Sequence, residues 1–343
     1  MVQAKAFEGF SGGCRVRVVS WDPSCERSAQ LAARLGCDVE TIHYLAYRRP
    51  AVAPVKYFLQ TIKTIVSLVA DPPRFVLISS PPPFGAFAVY LASFWIPGLR
   101  YVVDCHTGVF LEPKWKWLTF ISRFVSRRAV VTLVTNQFLR GVVEGWGARA
   151  LVLPNPLPRP AKPDRRYAVE PTQFNVAAVF SFYEDEPVES FMKVRDIPPD
   201  VRVYVTGDYT RARRLIPKDL CPQIILCGFL TADEYNSLLQ QAHAVLVLCT
   251  RPHTLLQGAA EAAAARKPLI TSDWPEMREQ FRKGTVFVSN STLSIEAGIS
   301  EARHRHAELA AEMTCLAAEL EREWERDFGR LLSILPAGQG SMV

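Results

Sequence analysis

The residues best placed for chemistry on a phosphorylated ligand lie between positions 245 and 274. An apolar strand ends there before His253 and Thr254, and a helix is predicted from Leu255 onward. The start of a helix offers unpaired backbone N–H groups and a positive dipole end, so Thr254 and Leu255 are candidates for binding a diphosphate. Glu261 lies seven residues after Thr254, where its carboxylate could accept hydrogen bonds from two ribose hydroxyls. The pattern predicts a nucleotide site.

A second polar group follows the predicted strand 101–104, at His106 and Gly108. Open α/β sheets bind ligands at the carboxyl ends of their strands. We therefore expect His106 to act either as a general base toward a ligand hydroxyl or as a hydrogen-bond partner of the ligand. A purely structural histidine is the alternative.

Basic residues follow Gly207 and Asp208, beginning with Arg211. Guanidinium groups bind phosphate through paired hydrogen bonds, so Arg211 is a candidate for the diphosphate, and a solvated basic turn is the alternative. The chain contains no D-x-D motif, and we predict neither a metal ion nor another cofactor.

Short β-branched runs alternate with amphipathic segments along the chain, which predicts an α/β fold with parallel sheets covered by helices. The predicted strands are 15–20, 39–44, 75–79, 101–104, 130–134, 150–153, 174–179, 201–206, 224–226, 244–248 and 268–271. The predicted helices are 25–35, 56–69, 118–128, 137–146, 232–242, 255–265 and 296–335.

A proline-rich segment divides this series at residues 154–171 and suits a semi-rigid interdomain connection. A chain of 343 residues is long enough for two domains. We predict a Rossmann-like acceptor domain over residues 1–157, a Rossmann-like donor domain over 158–318, and a C-terminal helix with a frayed tail over 319–343.

The charge is uneven, with 19 basic against 9 acidic residues up to position 160 and 21 against 25 beyond it. A basic half suits an anionic membrane surface or a phosphorylated acceptor, and a solvated basic face is the alternative. The chain has no zinc-finger spacing, RNP-like strand pair or glycine-rich loop followed by Lys, so we predict no nucleic-acid partner.

The eight cysteines form no C-x-x-C pair, and the first residues lack the pattern of a signal peptide. These features predict a cytoplasmic protein. The apolar stretch 75–99 contains four prolines and does not predict a membrane span. Residues 56–69, with Trp115 and Trp117, combine basic and aromatic side chains as a peripheral membrane surface does, and ordinary core packing is the alternative.

The segment around Glu261 resembles the retaining GT-B glycosyltransferases of family 4, also called group 1. Their signature is a carboxylate, seven residues, a second Glu, small residues and a strand ending in Ser-Asp. Glu261, the alanine run 262–265 and Ser272-Asp273 match it. The resemblance implies ribose binding by Glu261 and sugar contact by residue 253, which here is His253 and not Glu.

Shorter matches extend the resemblance over the chain. Residues 153–156 are similar to the interdomain segment, Gly207 to the glycine at a strand end, and Phe229 to the loop beside the base. Residues 103–106 together with 181–187 also resemble chitobiosyldiphosphodolichol β-mannosyltransferase, which implies that His106 faces the donor sugar. The family's Arg and Lys after the first strand of the second domain have no counterpart in 181–187.

The resemblance implies a GT-B fold, in which two Rossmann-like domains face a central cleft. It also implies a hexosyltransferase that moves a sugar from a nucleotide sugar to a glycan or membrane-associated acceptor in polysaccharide or glycolipid synthesis. Such an enzyme would be cytoplasmic and peripheral on the inner face of a membrane. Two alternatives are a nucleotide-sugar epimerase and a non-catalytic GT-B-like partner subunit.

Overall fold

The structure, a computed structural model, describes residues 16–23, 25–45, 50–159 and 167–335. The predictions for the N-terminal residues, for Pro160 and Pro163 and for the tail lie outside these ranges. The chain divides into two compact units. The first comprises Met1–Pro156 and Trp324–Val343, and the second comprises Leu157–Glu323.

The first unit contains a parallel sheet of six strands in the order β2-β1-β3-β4-β5-β6. Its elements are β1 (Val16–Ser20), α1 (Glu26–Leu35), β2 (Val39–Thr41), a 3-10 turn (Pro50–Val52), α2 (Ala53–Ala70), β3 (Phe75–Ser80), α3 (Pro83–Ala92), β4 (Arg100–Cys105), α4 (Gly108–Leu111), α5 (Pro113–Lys116), α6 (Thr119–Ser126), β5 (Val131–Val134), α7 (Gln137–Gly145) and β6 (Ala150–Val152).

Both faces of this sheet are buried, as the continuous apolar strands require. Along β3, Val76 and Ile78 pack into one core and Phe75 and Leu77 into the other, because successive side chains point to opposite faces. The Asn136 side chain caps α7 by accepting the Leu139 N–H at 2.9 Å. The cap of α7 and the alternation of side chains along β3 are therefore both consistent with the observed positions of these two elements.

The second unit has the same architecture, with the strand order β12-β11-β10-β7-β8-β9, all parallel. Its elements are β7 (Phe174–Val179), α8 (Val188–Met192), β8 (Val201–Thr206), a 3-10 segment (Tyr209–Leu215), β9 (Ile224–Gly228), α9 (Ala232–Gln241), β10 (Ala244–Val247), α10 (Gln257–Ala264), β11 (Leu269–Ser272), α11 (Pro275–Gln280), β12 (Thr285–Val288), α12 (Thr292–His304) and α13 (His306–Ile334), whose residues from Trp324 onward belong to the first unit.

The predicted α/β class with parallel sheets is confirmed. The apolar stretch 75–99 contains β3 and α3, and no helix in the described ranges has both the length and the hydrophobicity needed to cross a membrane. The predicted helix 296–335 consists of two helices separated at Arg305. Strand β12 was not predicted, although its sequence TVFV consists of residues that favour strands.

Candidate functional site

In the second unit, the loop that follows β10 leads directly into α10. Residue Leu256 is extended (φ −86°, ψ 130°) and caps the helix, which therefore begins at Gln257. The predicted helix start at Leu255 was wrong by two residues, because Thr254 and Leu255 belong to the loop. The N–H groups of the first helical turn are consequently those of Gln257 and Gly258.

The start of α10 packs closely against the sheet through Gly258. A Cβ atom on this glycine would lie 3.1 Å from Val247 and 3.3 Å from Val179, which are on β10 and β7. A cavity of about 300 Å³ borders this contact. Its wall includes Ser181, Tyr235, Leu256, Gln257, Gly258 and Glu261.

Glu261 faces this cavity and is held by a neighbouring tyrosine. The Tyr235 hydroxyl donates a hydrogen bond to the Glu261 carboxylate. Burial, together with the Glu261 charge, raises the pKa of Tyr235, so the phenol keeps its proton and remains the donor. Tyr235 is on α9, whose start is fixed by a capping box between Thr231 and Glu234. The carboxylate is therefore oriented before any ligand binds.

His253 also interacts with a carboxylate, which the sequence did not reveal. Its Nδ1 atom lies 2.5 Å from Oε1 of Glu276, on α11, and its backbone has a φ of +60°. The Glu276 side chain is buried, and its second oxygen has no hydrogen-bond partner within the described ranges. Position 253 thus holds a histidine paired with an acid 23 residues later in the chain.

Hydrogen bonds hold the loop between β10 and α10 in place. The Cys249 carbonyl accepts from Trp274 Nε1 at 2.8 Å and from Asn290 Nδ2 at 3.0 Å. The Cys249 N–H donates to Ser272 Oγ at 2.8 Å, and the Thr250 N–H donates to the Asp185 carbonyl at 2.7 Å. The loop that presents His253, Thr254 and Leu255 is therefore anchored at its first residues.

The loop after β7, which lacks the family's basic pair, folds around its own Glu186. The Glu186 carboxylate accepts the N–H groups of Ser181 at 2.8 Å and Phe182 at 2.7 Å. Burial raises the pKa of Glu186 despite these bonds. The backbone donors of this loop are thus occupied by an internal carboxylate.

Arginines reach this loop from other segments. The Arg211 guanidinium lies 4.8 Å from the centre of the Tyr183 ring, and Arg251 lies 3.5 Å from Asp185. Arg211 borders a second cavity of about 970 Å³, whose wall also includes Phe182, Glu186, Arg213, Arg214 and Thr250. Sequence reasoning missed Arg251, because its position in the loop after β10 gave no indication that it would lie beside residue 185.

Gly207 and Phe229 lie at the ends of β8 and β9. Gly207 has a φ of +101°, and a Cβ atom there would lie 2.0 Å from the Phe180 carbonyl oxygen, so only glycine fits. The Phe229 side chain is 87% exposed. Neither residue is in the wall of the two cavities, and their contact with a donor stays a prediction.

In the first unit, the carboxyl end of β4 carries a buried ion pair. Asp104 is fully buried, and both of its oxygens lie 2.9 Å from Arg27 Nε. Arg27 also donates to the Leu153 carbonyl and to Asn155 Oδ1, each at 2.9 Å. Burial opposes ionisation of Asp104, but Arg27 and then His106 hold its pKa below the usual range.

His106 joins this network. Its Nε2 atom lies 3.4 Å from Asp104 Oδ2 and 3.8 Å from Cys25 Sγ. Burial lowers the pKa of His106, but the contacts with Asp104 and Cys25 outweigh it and raise the pKa to about 9. The same pairing lowers the pKa of Cys25 against the effect of burial. An imidazole with this pKa is protonated at neutral pH, so it suits a hydrogen-bond donor better than a general base.

A cavity of about 620 Å³ adjoins His106 within the first unit. Its wall combines aromatic and charged residues, and includes Trp21, Cys25, Lys56, Tyr57, Glu112 and Trp115. Sequence reasoning identified His106 but not its partners Arg27 and Cys25. An aspartate inside an apolar strand was the available signal, because a buried carboxylate requires a cation or hydrogen-bond donors.

Most of the second unit matches a known protein-family model. Residues 185–318 match the model for glycosyl transferases group 1. Most of the second unit is therefore similar to the group 1 glycosyltransferases, in agreement with the resemblance of its sequence. No curated protein sequence matches the chain.

Solved structures match over both units. HepE of Anabaena, in complex with UDP, has a TM-score of 0.65 at 14% identity, covering 93% of this chain and 100% of HepE. Sucrose-phosphate synthase of Thermosynechococcus elongatus has a TM-score of 0.67 at 11% identity, covering 94% and 99% of the two chains. The chain has the GT-B fold.

The GT-B fold is shared by proteins of different activities. A putative UDP-N-acetylglucosamine 2-epimerase from Listeria monocytogenes matches with a TM-score of 0.58 at 11% identity, covering 93% of this chain and 98% of that one. The GT-B architecture alone therefore does not decide between transfer and epimerisation. The resemblance to the chitobiosyldiphosphodolichol enzyme stays a prediction.

Proposed function

We propose that this GT-B chain is a glycosyltransferase that moves a hexose from a nucleotide sugar to a glycan or lipid-linked acceptor. The observation that carries the proposal is the oriented Glu261 carboxylate beside the first N–H groups of α10, within the segment that matches group 1. A carboxylate suits ribose hydroxyls, and the start of a helix suits a diphosphate.

In this proposal the donor binds in the second unit. Ribose hydroxyls donate to Glu261, and the diphosphate accepts from the N–H groups of Gln257 and Gly258. Arg211 supplies positive charge from the neighbouring segment, and Phe229 flanks the base. Oriented backbone dipoles and the guanidinium stabilise the charge that develops on the departing nucleoside diphosphate. No metal ion or other cofactor enters the proposal.

Each unit contains one histidine that is a candidate for contact with a sugar. Glu276 accepts from Nδ1 of His253, so the Nε2 edge of that imidazole would approach the sugar or phosphate. His106, charged at neutral pH, would donate to a sugar hydroxyl, and its adjoining cavity would receive the acceptor. Placement in polysaccharide or glycolipid synthesis, on the cytoplasmic face of a membrane, is part of the same proposal.

A thermal-shift panel of UDP-, GDP-, ADP- and dTDP-sugars tests the donor site. The HepE structures contain UDP and UDP-glucose, which makes UDP-sugars the first probes. A ligand at 100 times its Kd stabilises the folded state by about 2.7 kcal/mol. We expect one nucleotide to raise the Tm of wild type and of Glu279→Gln, an exposed acid on α11, but not that of Glu261→Ala. A chain that responds to none of them would refute the proposal.

The fold match with an epimerase favours one second candidate, a nucleotide-sugar epimerase. Product analysis with the donor found by thermal shift separates the two reactions. A transferase requires an acceptor for sugar transfer, whereas an epimerase converts the nucleotide sugar in its absence. A non-catalytic subunit would bind the nucleotide and do neither.

A further inference from the structure

The polarity of helix α2 is reversed relative to that of an ordinary surface helix. Its buried positions, spaced four apart, are Lys56, Gln60, Thr64 and Leu68. Its outward face consists of exposed large apolar residues: Val55, Phe58, Leu59, Ile62, Val66 and Val69. A helix on the surface of a water-soluble domain normally buries the apolar stripe and exposes the polar one. The outward face of α2 therefore suits an apolar environment.

Specific hydrogen bonds fix this orientation. Trp21 Nε1 donates to Thr64 Oγ1 at 3.0 Å, and Gln60 Nε2 donates to the Ile42 carbonyl at 2.6 Å. Lys56, one turn before Gln60, is in the wall of the 620 Å³ cavity. Rotating α2 to bury its apolar stripe would break these bonds, so the reversed polarity is built into the unit.

Further exposed aromatic residues occur on the helices that pack beside α2. Helix α3 packs on both α2 and α6. Phe94, just after α3, contacts Tyr90, which in turn contacts Phe124 of α6. The exposed large side chains in this part of the unit are Phe94, Trp95, Trp117 and Phe120. Single exposed apolar residues are common, but a helix face with several neighbours of this kind indicates an interaction surface.

The charge of the same region indicates which kind of partner this surface binds. Residues 50–130 hold nine basic against three acidic residues, and one of the acids, Asp104, is buried against Arg27. The basic residues with exposed positions include Lys63, Lys114, Lys116, Arg123, Arg127 and Arg128. Apolar and aromatic side chains combined with Lys and Arg match the interface of an anionic bilayer, where Trp and Phe enter the headgroup region and cations meet lipid phosphates.

We propose that the first unit docks on an anionic membrane through the outward face of α2, with the basic residues of α5 and α6 against the lipid headgroups. Helix α2 would then lie along the interface, its apolar side in lipid and its polar side on the cavity beside His106. The use of that cavity by the polar part of a lipid acceptor rests on the proposed function. The membrane contact itself does not.

Co-sedimentation of the full chain with vesicles tests this docking without any donor. We expect binding to vesicles of phosphatidylglycerol and phosphatidylcholine in equal parts, and at least tenfold weaker binding to phosphatidylcholine alone. The double variant Phe58→Ser, Ile62→Ser should lose at least tenfold in vesicle affinity. The matched control is Leu293→Ser, which removes an exposed apolar side chain from α12 of the second unit and should bind as wild type does.

Hydrogen exchange of the wild-type chain provides a readout that needs no variant. The backbone amides of α2 should exchange more slowly when the anionic vesicles are added, whereas those of α12 should not change. Without vesicles, the backbone amides of β3 and β4 should exchange as slowly in the double variant as in wild type, which shows that the first unit is folded.

Two results would overturn the docking proposal. One is equal vesicle binding by the double variant and Leu293→Ser. In the other, the wild-type chain does not bind vesicles but forms a dimer, and the double variant is a monomer. That result would mean that this face binds a second copy of the chain. A chain that docks through α2 but turns over no donor would refute the transferase and leave the docking intact.

Discussion

The polar ends of the two sheets are built in different ways. At the end of β4 the site consists of charged side chains, since Asp104, Arg27 and His106 form a network that is mostly buried. At the end of β10, backbone groups dominate, since the loop is held through the Cys249 carbonyl and the site opens on the N–H groups of α10. The arginines around it are largely exposed, as the Arg211–Asp208 pair shows.

The two sites therefore contribute differently to stability and to ligand binding. A buried ion pair cannot lose one partner without leaving an uncompensated charge, so the first site is tied to the folding of its unit. Exposed ion pairs contribute little to stability, so side chains at the second site can be changed at low cost to folding. We therefore expect mutations at the first site to lower the unfolding free energy and mutations at the second site to change the affinity for the nucleotide.

Removing the charge of Asp104 should have the largest effect. Asp104→Asn leaves Arg27 buried without its carboxylate, and we expect a loss of about 3–5 kcal/mol in unfolding free energy. Urea unfolding measures it, with hydrogen exchange at β4 assigning the loss to the first unit. Asp208→Asn, which removes an exposed partner of Arg211, should cost far less. Equal losses would contradict the contrast between the sites.

The charge on His106 should make stability depend on pH. Its folded pKa of about 9 exceeds the unfolded value of about 6.5, so the stabilisation is complete below about pH 6.5 and is lost as the pH rises through 9. Relative to His106→Gln, wild type should be more stable by about 2 kcal/mol at low pH, a figure reduced for solvent screening because a third of the imidazole is exposed.

Unfolding curves between about pH 6 and pH 10 measure this difference. The control His304→Gln changes an exposed histidine of α12 and should show no comparable trend. A gap between wild type and His106→Gln that widens with rising pH would show that the imidazole is neutral in the folded protein.

The smallest effect concerns Glu186, which borders both the 300 Å³ cavity and the 970 Å³ cavity. Neutralising it in Glu186→Gln should strengthen nucleoside diphosphate binding about fivefold, since about 1 kcal/mol of repulsion is removed. Titration calorimetry measures the Kd. Glu301→Gln, which changes an exposed acid of α12 paired with Arg305 and away from both cavity walls, should change it less than twofold. Weaker binding by Glu186→Gln would mean that the carboxylate orients a donor group for the ligand.

The sequence predicted most of the fold, because β-branched runs and amphipathic helices carry their own periodicity. It misplaced the start of α10, since nothing local distinguishes an extended Leu256 from a helical one. It singled out His106, His253 and Glu261 as candidates from spacing and family resemblance, and their roles stay predictions. It could not identify Cys25 or Glu276, because those partners lie 81 and 23 residues away and are brought close only by tertiary packing.

Helix α13 has a consequence for the order of synthesis and folding. Its final turns place Trp324, Phe328 and Leu331 in the same core as Leu31 and Leu77 of the first unit, and Trp324 Nε1 donates to the Pro154 carbonyl at 3.0 Å. A nascent chain emerges from the ribosome N-terminus first, so the unit synthesised first lacks part of its core until residues 324–335 have been added. The second unit can fold before the core of the first unit is complete. If synthesis stopped before residues 324–335, the first unit would keep an incomplete core and be exposed to aggregation.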